Sequence, residues 1–226
     1  LAAAEPERLQ RMKELWWQEA VKYQVLPLNN QPGKFVDTRH RRRHYELHAG
    51  VGPLPEAIAP NLRGRKFHIA AELDVPPSGD VAGAIVAHGG HSGGYVLYLQ
   101  GRRLHYVYNF VGTEITVASA SVELPAGRVV VRAAFTPTAP RPGSGGDVAL
   151  FYGDVPVGKA TIPRTTPLTY GARGFTVGFQ PGGPIAPTLG GRAELPAGVL
   201  TRVVIDVEGR GATDPAKRER VDLATQ

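Results

Sequence analysis

The chain has 226 residues, a length that allows one medium-sized domain with appendages. Its 28 glycines and 20 prolines are typical of a turn-rich β protein, and the lack of cysteine excludes a disulfide framework and thiolate metal sites. The net charge is +6, but the excess cations lie mainly in Arg41-Arg42-Arg43 and in the tail at Lys217, Arg218 and Arg220. The excess positive charge is therefore concentrated in two patches, and it does not indicate a uniformly basic binding face. No apolar run reaches the roughly 20 residues that a membrane-spanning helix needs, so we expect no membrane partner.

The first predicted element is an amphipathic helix over residues 5–23. Its apolar side chains recur at three- and four-residue spacings, and Pro6 suits the first turn of a helix. Two adjacent tryptophans cannot both enter one groove, so the helix needs a large covering surface. We expect a domain-packing role for Leu15, Trp16, Trp17 and Tyr23. An aromatic platform for a ligand is the alternative.

Residues 29–65 are predicted to be a basic linker, because prolines and glycines interrupt them throughout. His40, His44 and His48 would align on a helix as metal ligands, but the neighbouring arginines and the nearby glycines oppose that interpretation. The run from Arg39 to His44 could also bind a polyanion, although no aromatic residue interleaves with it to stack bases. A solvated linker is the simpler interpretation, and we do not expect nucleic acid to be a partner.

From Lys66 the pattern changes to about ten short strands separated by turns, which predicts an antiparallel β-sandwich. Gly101 marks a hairpin between two of the strands, and Gly153-Asp154 marks a two-residue turn. The predicted strands are 67–73, 82–88, 95–99, 103–110, 114–121, 129–135, 148–152, 155–161, 175–179 and 200–207. The absence of alternating helices excludes a parallel α/β sheet.

Aromatic residues concentrate in the hairpin around Gly101. Tyr95, Tyr106 and Tyr108, with Asn109 as a polar partner, are a possible ligand face, because lectin-like sandwiches stack sugars on aromatic rings. Core packing is the alternative, since aromatic side chains bury large apolar areas. The glycine-rich loop from His88 to Gly94 could cradle an anion, but it lacks the strand-to-helix context and more simply marks a tight turn.

Several segments resemble the C-terminal region of bacterial arylsulfatases of the type I sulfatase family, of the actinobacterial and proteobacterial type. The first is LWWQEAVKYQVLPL, residues 15–28, although Asn29 and Asn30 replace two acidic residues of the family pattern. The second is LPEAIAPN, residues 54–61, and the third is GGHSGGY, residues 89–95. Together with later strands, the resemblance covers most of residues 9–207.

This resemblance implies a domain plan. Residues 1–28 would be the terminal helix and exit strand of a missing catalytic domain, 29–65 a linker, 66–208 a concanavalin-like or jelly-roll accessory domain, and 209–226 a charged tail. The parent would be a sulfuric ester hydrolase with a formylglycine nucleophile and Ca²⁺ or Mg²⁺ in the missing domain.

Neither the nucleophile nor the cation site is expected in this chain. Formylglycine arises from a C/S-x-P-x-R motif, and none of the five serines here is followed two residues later by proline. We therefore expect no catalytic, cofactor or metal residue. The domain would pack on the upstream catalytic domain, shape substrate access or mediate oligomer contacts. The alternative is a stand-alone lectin-like carbohydrate-binding module.

Overall fold

The computed structural model describes residues 4–23, 42–171 and 173–208. It divides into two compact units, Leu1–Val36 and Asp37–Gln226. The first contains the helix α1 at Pro6–Lys22, which confirms the predicted helix. Pro6 lies in the first turn, where its missing N–H leaves no hydrogen bond unmade, and Lys22 lies in the last turn, where a cation complements the helix dipole. The exit strand that is predicted to follow the helix lies outside the described residues.

The second unit is a β-sandwich of two antiparallel sheets, as the sequence predicts. Its strands are β1 His44–Leu47, β2 Phe67–Val75, β3 Gly83–Gly90, β4 Gly93–Gln100, β5 Arg103–Phe110, β6 Glu114–Ser119, β7 Gly127–Pro137, β8 Ser144–Tyr152, β9 Val155–Arg164, β10 Phe175–Val177 and β11 Leu200–Val207. The six-stranded sheet has the order β1-β11-β2-β7-β8-β9, and the five-stranded sheet has the order β10-β3-β4-β5-β6.

The ten predicted strands correspond to β2 through β11, whereas β1 was not predicted. Both predicted turns are present. Gly101 and Arg102 join β4 to β5 and have φ angles of 56° and 54°. Positive φ angles at both central residues are typical of the two-residue hairpin turn whose twist matches that of the flanking strands. Gly153 has a φ of 57° in the two-residue turn between β8 and β9.

The main core lies between the two sheets. In β2 the residues Phe67, Ile69, Ala71, Leu73 and Val75 point inward and alternate with less buried positions, as expected for a strand with one wet face. The strands β3, β4 and β5 differ, because most of their residues are buried on both faces. The five-stranded sheet therefore has a second cover on its outer side.

The domain boundary differs from the prediction, because the sandwich includes residues that were assigned to the linker. Residues 48–65, here called the strap, follow β1 and place Ala59 and Leu62 in the main core. Tyr45 on β1 is also buried there. The prolines and glycines of this segment therefore shape a packed, irregular connection and not a free linker. The first part of the predicted linker, residues 29–41, and the predicted tail, residues 209–226, lie outside the described residues.

The strap connects the two sheets at one side of the sandwich. β1 pairs with β11 of the six-stranded sheet. A few residues later the strap pairs with β10 of the five-stranded sheet, where Gly50 N donates to Val177 O at 2.9 Å and Leu54 N donates to Phe175 O at 2.8 Å. The strap therefore covers the outer edge of β10, whereas β1 is itself an edge strand of the six-stranded sheet.

Candidate functional site

A long connection covers the outer face of the five-stranded sheet. Residues 179–195, between β10 and β11 and here called the cover segment, place Ile185, Ala186 and Leu189 in a second apolar cluster. The sheet contributes outward-facing side chains to this cluster. They are Ala84, Ala87, Val96, Tyr98 and Val107. The cover segment thus occupies the middle of the face on which a flat ligand platform could otherwise form.

Polar side chains fix the cover segment in place. Gln180 is fully buried; its Oε1 accepts a hydrogen bond from Ile185 N at 3.2 Å, and its Nε2 donates to Gly191 O at 3.1 Å. The hydroxyls of Tyr98 and Thr188 lie 3.2 Å apart in a hydrogen bond. Sequence reasoning missed Gln180, since a glutamine within a Pro/Gly-rich stretch gives no signal of burial.

The structure places the tyrosines of the possible ligand face inside the sandwich. Tyr95, Tyr106 and Tyr108 are 0%, 2% and 3% exposed and belong to the main core. Burial raises the pKa of Tyr108 to about 12, although its hydroxyl accepts a hydrogen bond from Thr166 N at 2.7 Å. Burial also raises the pKa values of Tyr95 and Tyr106. These rings offer no surface to a sugar, so the core-packing alternative describes them.

Asn109 lies on the opposite side of β5 and has a structural role. Its Nδ2 donates to Ile185 O and to His91 O, both at 3.2 Å, and its Oδ1 accepts from Gly112 N at 2.8 Å. The side chain thereby ties the cover segment to the β3–β4 and β5–β6 turns. Its hydrogen-bonding groups are engaged, and it does not share a face with the three tyrosines.

A buried polar cluster joins the strap to the five-stranded sheet. His88 on β3 is 1% exposed, and its Nε2 lies 2.9 Å from Oε2 of Glu56 on the strap. Neither ring nitrogen makes a well-directed hydrogen bond within the described residues, so the contact with Glu56 is a close approach of a ring nitrogen to a carboxylate oxygen. Arg63 Nη1 lies 2.7 Å from the other oxygen of Glu56. The rings of Tyr170 and Phe175 pack around His88, with centroids 4.7 and 5.8 Å away.

The charge of Glu56 depends on this cluster. Burial favours the neutral acid and raises its pKa, but the contacts with His88 and Arg63 outweigh burial and lower the pKa to about 2. Glu56 is therefore a carboxylate across the physiological range. Sequence reasoning did not single out Glu56, Arg63 or His88 as partners, because they come from a predicted linker and a predicted core strand.

The cavity beside this cluster is too small for a substrate. It has a volume of about 10 Å³ and is lined by Arg63, Tyr106, Tyr108 and Tyr170, among others. A volume of this size holds about one water molecule. The cluster therefore serves the attachment of the strap and does not form a binding pocket.

The three histidines of the predicted linker do not come together in the described part. His44 Nδ1 lies 2.7 Å from Asp206 Oδ1, and His48 Nδ1 lies 3.1 Å from Thr201 O. His40 lies outside the described residues. Across residues 4–23, 42–171 and 173–208, no group of three or more His, Cys, Asp or Glu side chains is arranged to hold a metal ion.

The helix exposes the residues to which we assign domain packing. Trp16 and Trp17 are 45% and 55% exposed, and Leu15 and Tyr23 are exposed as well. The two indole rings meet edge to face, with centroids 5.0 Å apart and planes at 83°. Such an apolar patch is costly to leave exposed to water. In the part of the chain that the structure describes, no helix has the length and apolar character to cross a membrane.

Comparison with known proteins gives structural likenesses only. No protein-family model matches the chain, and no curated protein matches it significantly. Significant matches to solved structures include the receptor-binding domain of botulinum neurotoxin type G, with a TM-score of 0.42 and 8% identity over 79% of this chain. Domains LG4-5 of the mouse laminin α1 chain match with a TM-score of 0.46 and 16% identity over 75% of this chain.

The Ruminococcus gnavus IT-sialidase CBM40, solved with α2,3-sialyllactose, matches with a TM-score of 0.48 and 11% identity over 77% of this chain. The chain spans 94% of that protein's length but only 42% and 40% of the neurotoxin and laminin chains. None of the three is a sulfatase. Likenesses at these TM-scores and identities do not extend to a shared site.

Proposed function

We propose that this chain is a lectin-like accessory domain of an arylsulfatase-type sulfuric ester hydrolase, together with the last helix of the catalytic domain. The observation that supports the proposal best is the exposed apolar surface of α1. A sandwich that functions by itself gains nothing from a helix that exposes Trp16 and Trp17. A catalytic domain that ends with this helix would bury both side chains. The sequence resemblance at residues 15–28 supports the same proposal.

The sandwich supports an accessory role in two further ways. The cover segment lies over the five-stranded sheet, and the tyrosines of that sheet pack in the main core. These side chains therefore pack inside the domain and do not form an open ligand face. Under this proposal the formylglycine and the Ca²⁺ or Mg²⁺ belong to the upstream domain of the same polypeptide. The sandwich packs on that domain and shapes substrate access or oligomer contacts.

The test uses a longer protein that includes the sequence upstream of Leu1. Replacing Trp16 and Trp17 together by Gln should lower its melting temperature, because truncating a buried aromatic side chain costs about 3–5 kcal/mol. Arg11→Gln, on the polar side of the helix, is the matched control and should change the melting temperature little. An unchanged melting temperature in the double variant, with a loss of sugar affinity, would support the aromatic-platform alternative instead.

The lectin-like fold favours a second candidate, a stand-alone carbohydrate-binding module. The solved structures named above lie closer to this candidate than to a sulfatase domain, and one of them is a sialidase module bound to sialyllactose. The buried tyrosines do not support it, since they leave the proposed sugar-stacking face without rings. Calorimetric titration of residues 42–208 with sialyllactose and with sulfated glycans separates the candidates, because the second requires saturable binding without an upstream domain.

A further inference from the structure

A serine and a histidine face each other on the outer side of the five-stranded sheet. His105 on β5 lies directly opposite Ser119 on β6, and His105 Nδ1 is 2.9 Å from Ser119 Oγ. Ser119 is exposed to solvent, and His105 is partly buried. The ring of Tyr98 stacks on the imidazole at 5.0 Å and 23°, which holds the ring in place.

The hydrogen bonds of His105 determine which nitrogen carries the proton. Its Nε2 lies 3.3 Å from the backbone oxygen of Gln100. A carbonyl oxygen can only accept, so Nε2 carries the hydrogen and donates it. In the neutral ring Nδ1 then has a free lone pair, and the Ser119 hydroxyl must donate to it. A hydroxyl held by a base, which is itself oriented by a third group, is the arrangement that activates a serine nucleophile.

Burial keeps this base in its neutral form. Desolvation lowers the pKa of His105, and the nearby positive charge of Arg103 lowers it further, although the contact with Gln100 O acts in the opposite direction. The imidazole is therefore free to accept a proton at neutral pH. A general base can remove a proton from a hydroxyl only when the base itself is unprotonated at the working pH.

Two neighbouring features suit an ester substrate. Arg103 shares the outer side of β5 with His105, and its Nη1 donates to Ser121 O at 3.2 Å, which places a cation beside the pair. Ile115 and Val117 occupy alternate positions of β6 before Ser119 and are 41% and 49% exposed. A cation can stabilise a developing oxyanion, and an exposed apolar strip can hold an acyl chain.

We propose that Ser119 and His105 form a nucleophile–base pair that takes an acyl group from small apolar carboxylic esters. Ser119 Oγ attacks the ester carbonyl carbon, and its proton passes to His105 Nδ1. The tetrahedral adduct collapses as the bond to the alcohol oxygen breaks, and that oxygen leaves with the proton from Nδ1. Water then attacks the acyl carbon while its proton passes to His105 Nδ1, and the bond to Ser119 Oγ breaks as Oγ takes that proton back and the carboxylic acid leaves. This activity is independent of the accessory role proposed above.

The test treats the full chain with p-nitrophenyl butyrate and follows both nitrophenolate release and peptide mass. We expect butyrylation of the peptide that contains Ser119. We also expect Ser119→Ala and His105→Gln to reduce nitrophenolate release at least about tenfold, since a positioned general base contributes about 10²- to 10⁴-fold. The rate in the parent chain should rise with pH and level off below the ordinary His pKa, following deprotonation of His105.

Ser78→Ala, which removes another exposed serine, is the matched control and should leave the rate unchanged. The melting temperature of each variant shows whether it is folded. If His105→Gln is unstable, the Ser119→Ala variant still tests the proposal, because its substitution lies at an exposed position. Nitrophenolate release that is the same in all variants, or butyryl groups found only on lysines, would overturn the proposal.

Discussion

Glu56 shows how two contacts set the charge of a residue in this sandwich. The carboxylate is only partly accessible, and burial by itself would favour its neutral form. His88 on β3 and Arg63 on the strap instead hold it ionised. Because these partners come from two separate segments, the charge of Glu56 also links the strap to the five-stranded sheet.

Acid should weaken the sandwich through Glu56. Its pKa is lowered on folding from the ordinary 4.5 to about 2, so its contribution to the free energy of unfolding is complete above pH 4.5 and is lost as the pH falls towards 2. This shift corresponds to at most about 3 kcal/mol. We expect Glu56→Gln to be less stable than the parent chain at pH 7 and the difference to shrink on acidification. Urea unfolding at several pH values measures this difference.

Glu114→Gln is a matched control, since Glu114 forms an exposed ion pair with Arg164 at 3.0 Å. Exposed pairs contribute about 0–1 kcal/mol. A stability difference for Glu56→Gln that stays constant from pH 7 to pH 3 would contradict the role assigned to the carboxylate.

At the level of elements, a fully buried side chain, Gln180, is one of those that hold the cover segment. Gln180 bonds to both ends of the loop that carries Ile185, Ala186 and Leu189 onto the sheet. Its amide forms hydrogen bonds with the backbone of this segment, where a strand or helix would have backbone hydrogen bonds of its own. An irregular segment can therefore be held in place well enough to bury a second apolar cluster.

Replacing Gln180 by Leu should reduce the free energy of unfolding by about 1–3 kcal/mol, because the change leaves buried Ile185 N without an acceptor. The measurement is urea unfolding of the full chain. Gln100→Leu is the matched control, because Gln100 Nε2 also bonds to the cover segment, at Thr188 O, but from an exposed position. Equal losses in the two variants would show that burial of the Gln180 amide is not what matters.

The strands and turns could be predicted from the sequence because each depends on local pattern. Alternation marked β2, and the glycine turns at Gly101 and Gly153 marked two hairpins. β1 could not be predicted, since its four residues become a strand only by pairing with β11, more than 150 positions away. Residues 82–88 are mostly apolar in sequence, which agrees with the two-sided burial of β3, but the segment that covers this strand could not be predicted.

The tyrosines of β4 and β5 show the same limit at the candidate site. Their alternation predicted a shared face correctly, yet it could not tell whether that face meets solvent or the other sheet. The pairing of His105 with Ser119 was also invisible, because it depends on the register between two strands. Register is set by the whole sheet and its turns and not by either strand alone.

At the level of the whole molecule, the folded sandwich extends further upstream than its strand pattern suggests. β1 covers the edge of β11, and the strap fills the core with Leu62 and Ala59. The irregular composition of residues 48–65 therefore belongs to the folded unit. This placement changes where a stable fragment should begin.

A fragment of residues 42–208 should unfold in one cooperative transition, whereas a fragment of residues 66–208 should be less stable by at least about 3 kcal/mol, since burying a Leu or a similar side chain contributes about 1.5–3 kcal/mol. Calorimetry of the two fragments checks this expectation. Fragments that start at residue 42 and at residue 50 provide a finer comparison, because the second lacks only β1. Equal melting temperatures for fragments 42–208 and 66–208 would restore the boundary at Lys66.

The pairing of β1 with β11 also has a mechanical consequence. Val207 N donates to Arg43 O at 2.8 Å, so the chain enters and leaves the sandwich at neighbouring points. Tension applied between residues 43 and 208 would act on the hydrogen bonds of these two strands one pair at a time, as in a zipper. The remaining nine strands would stay outside the line of force until the short edge strand had peeled away.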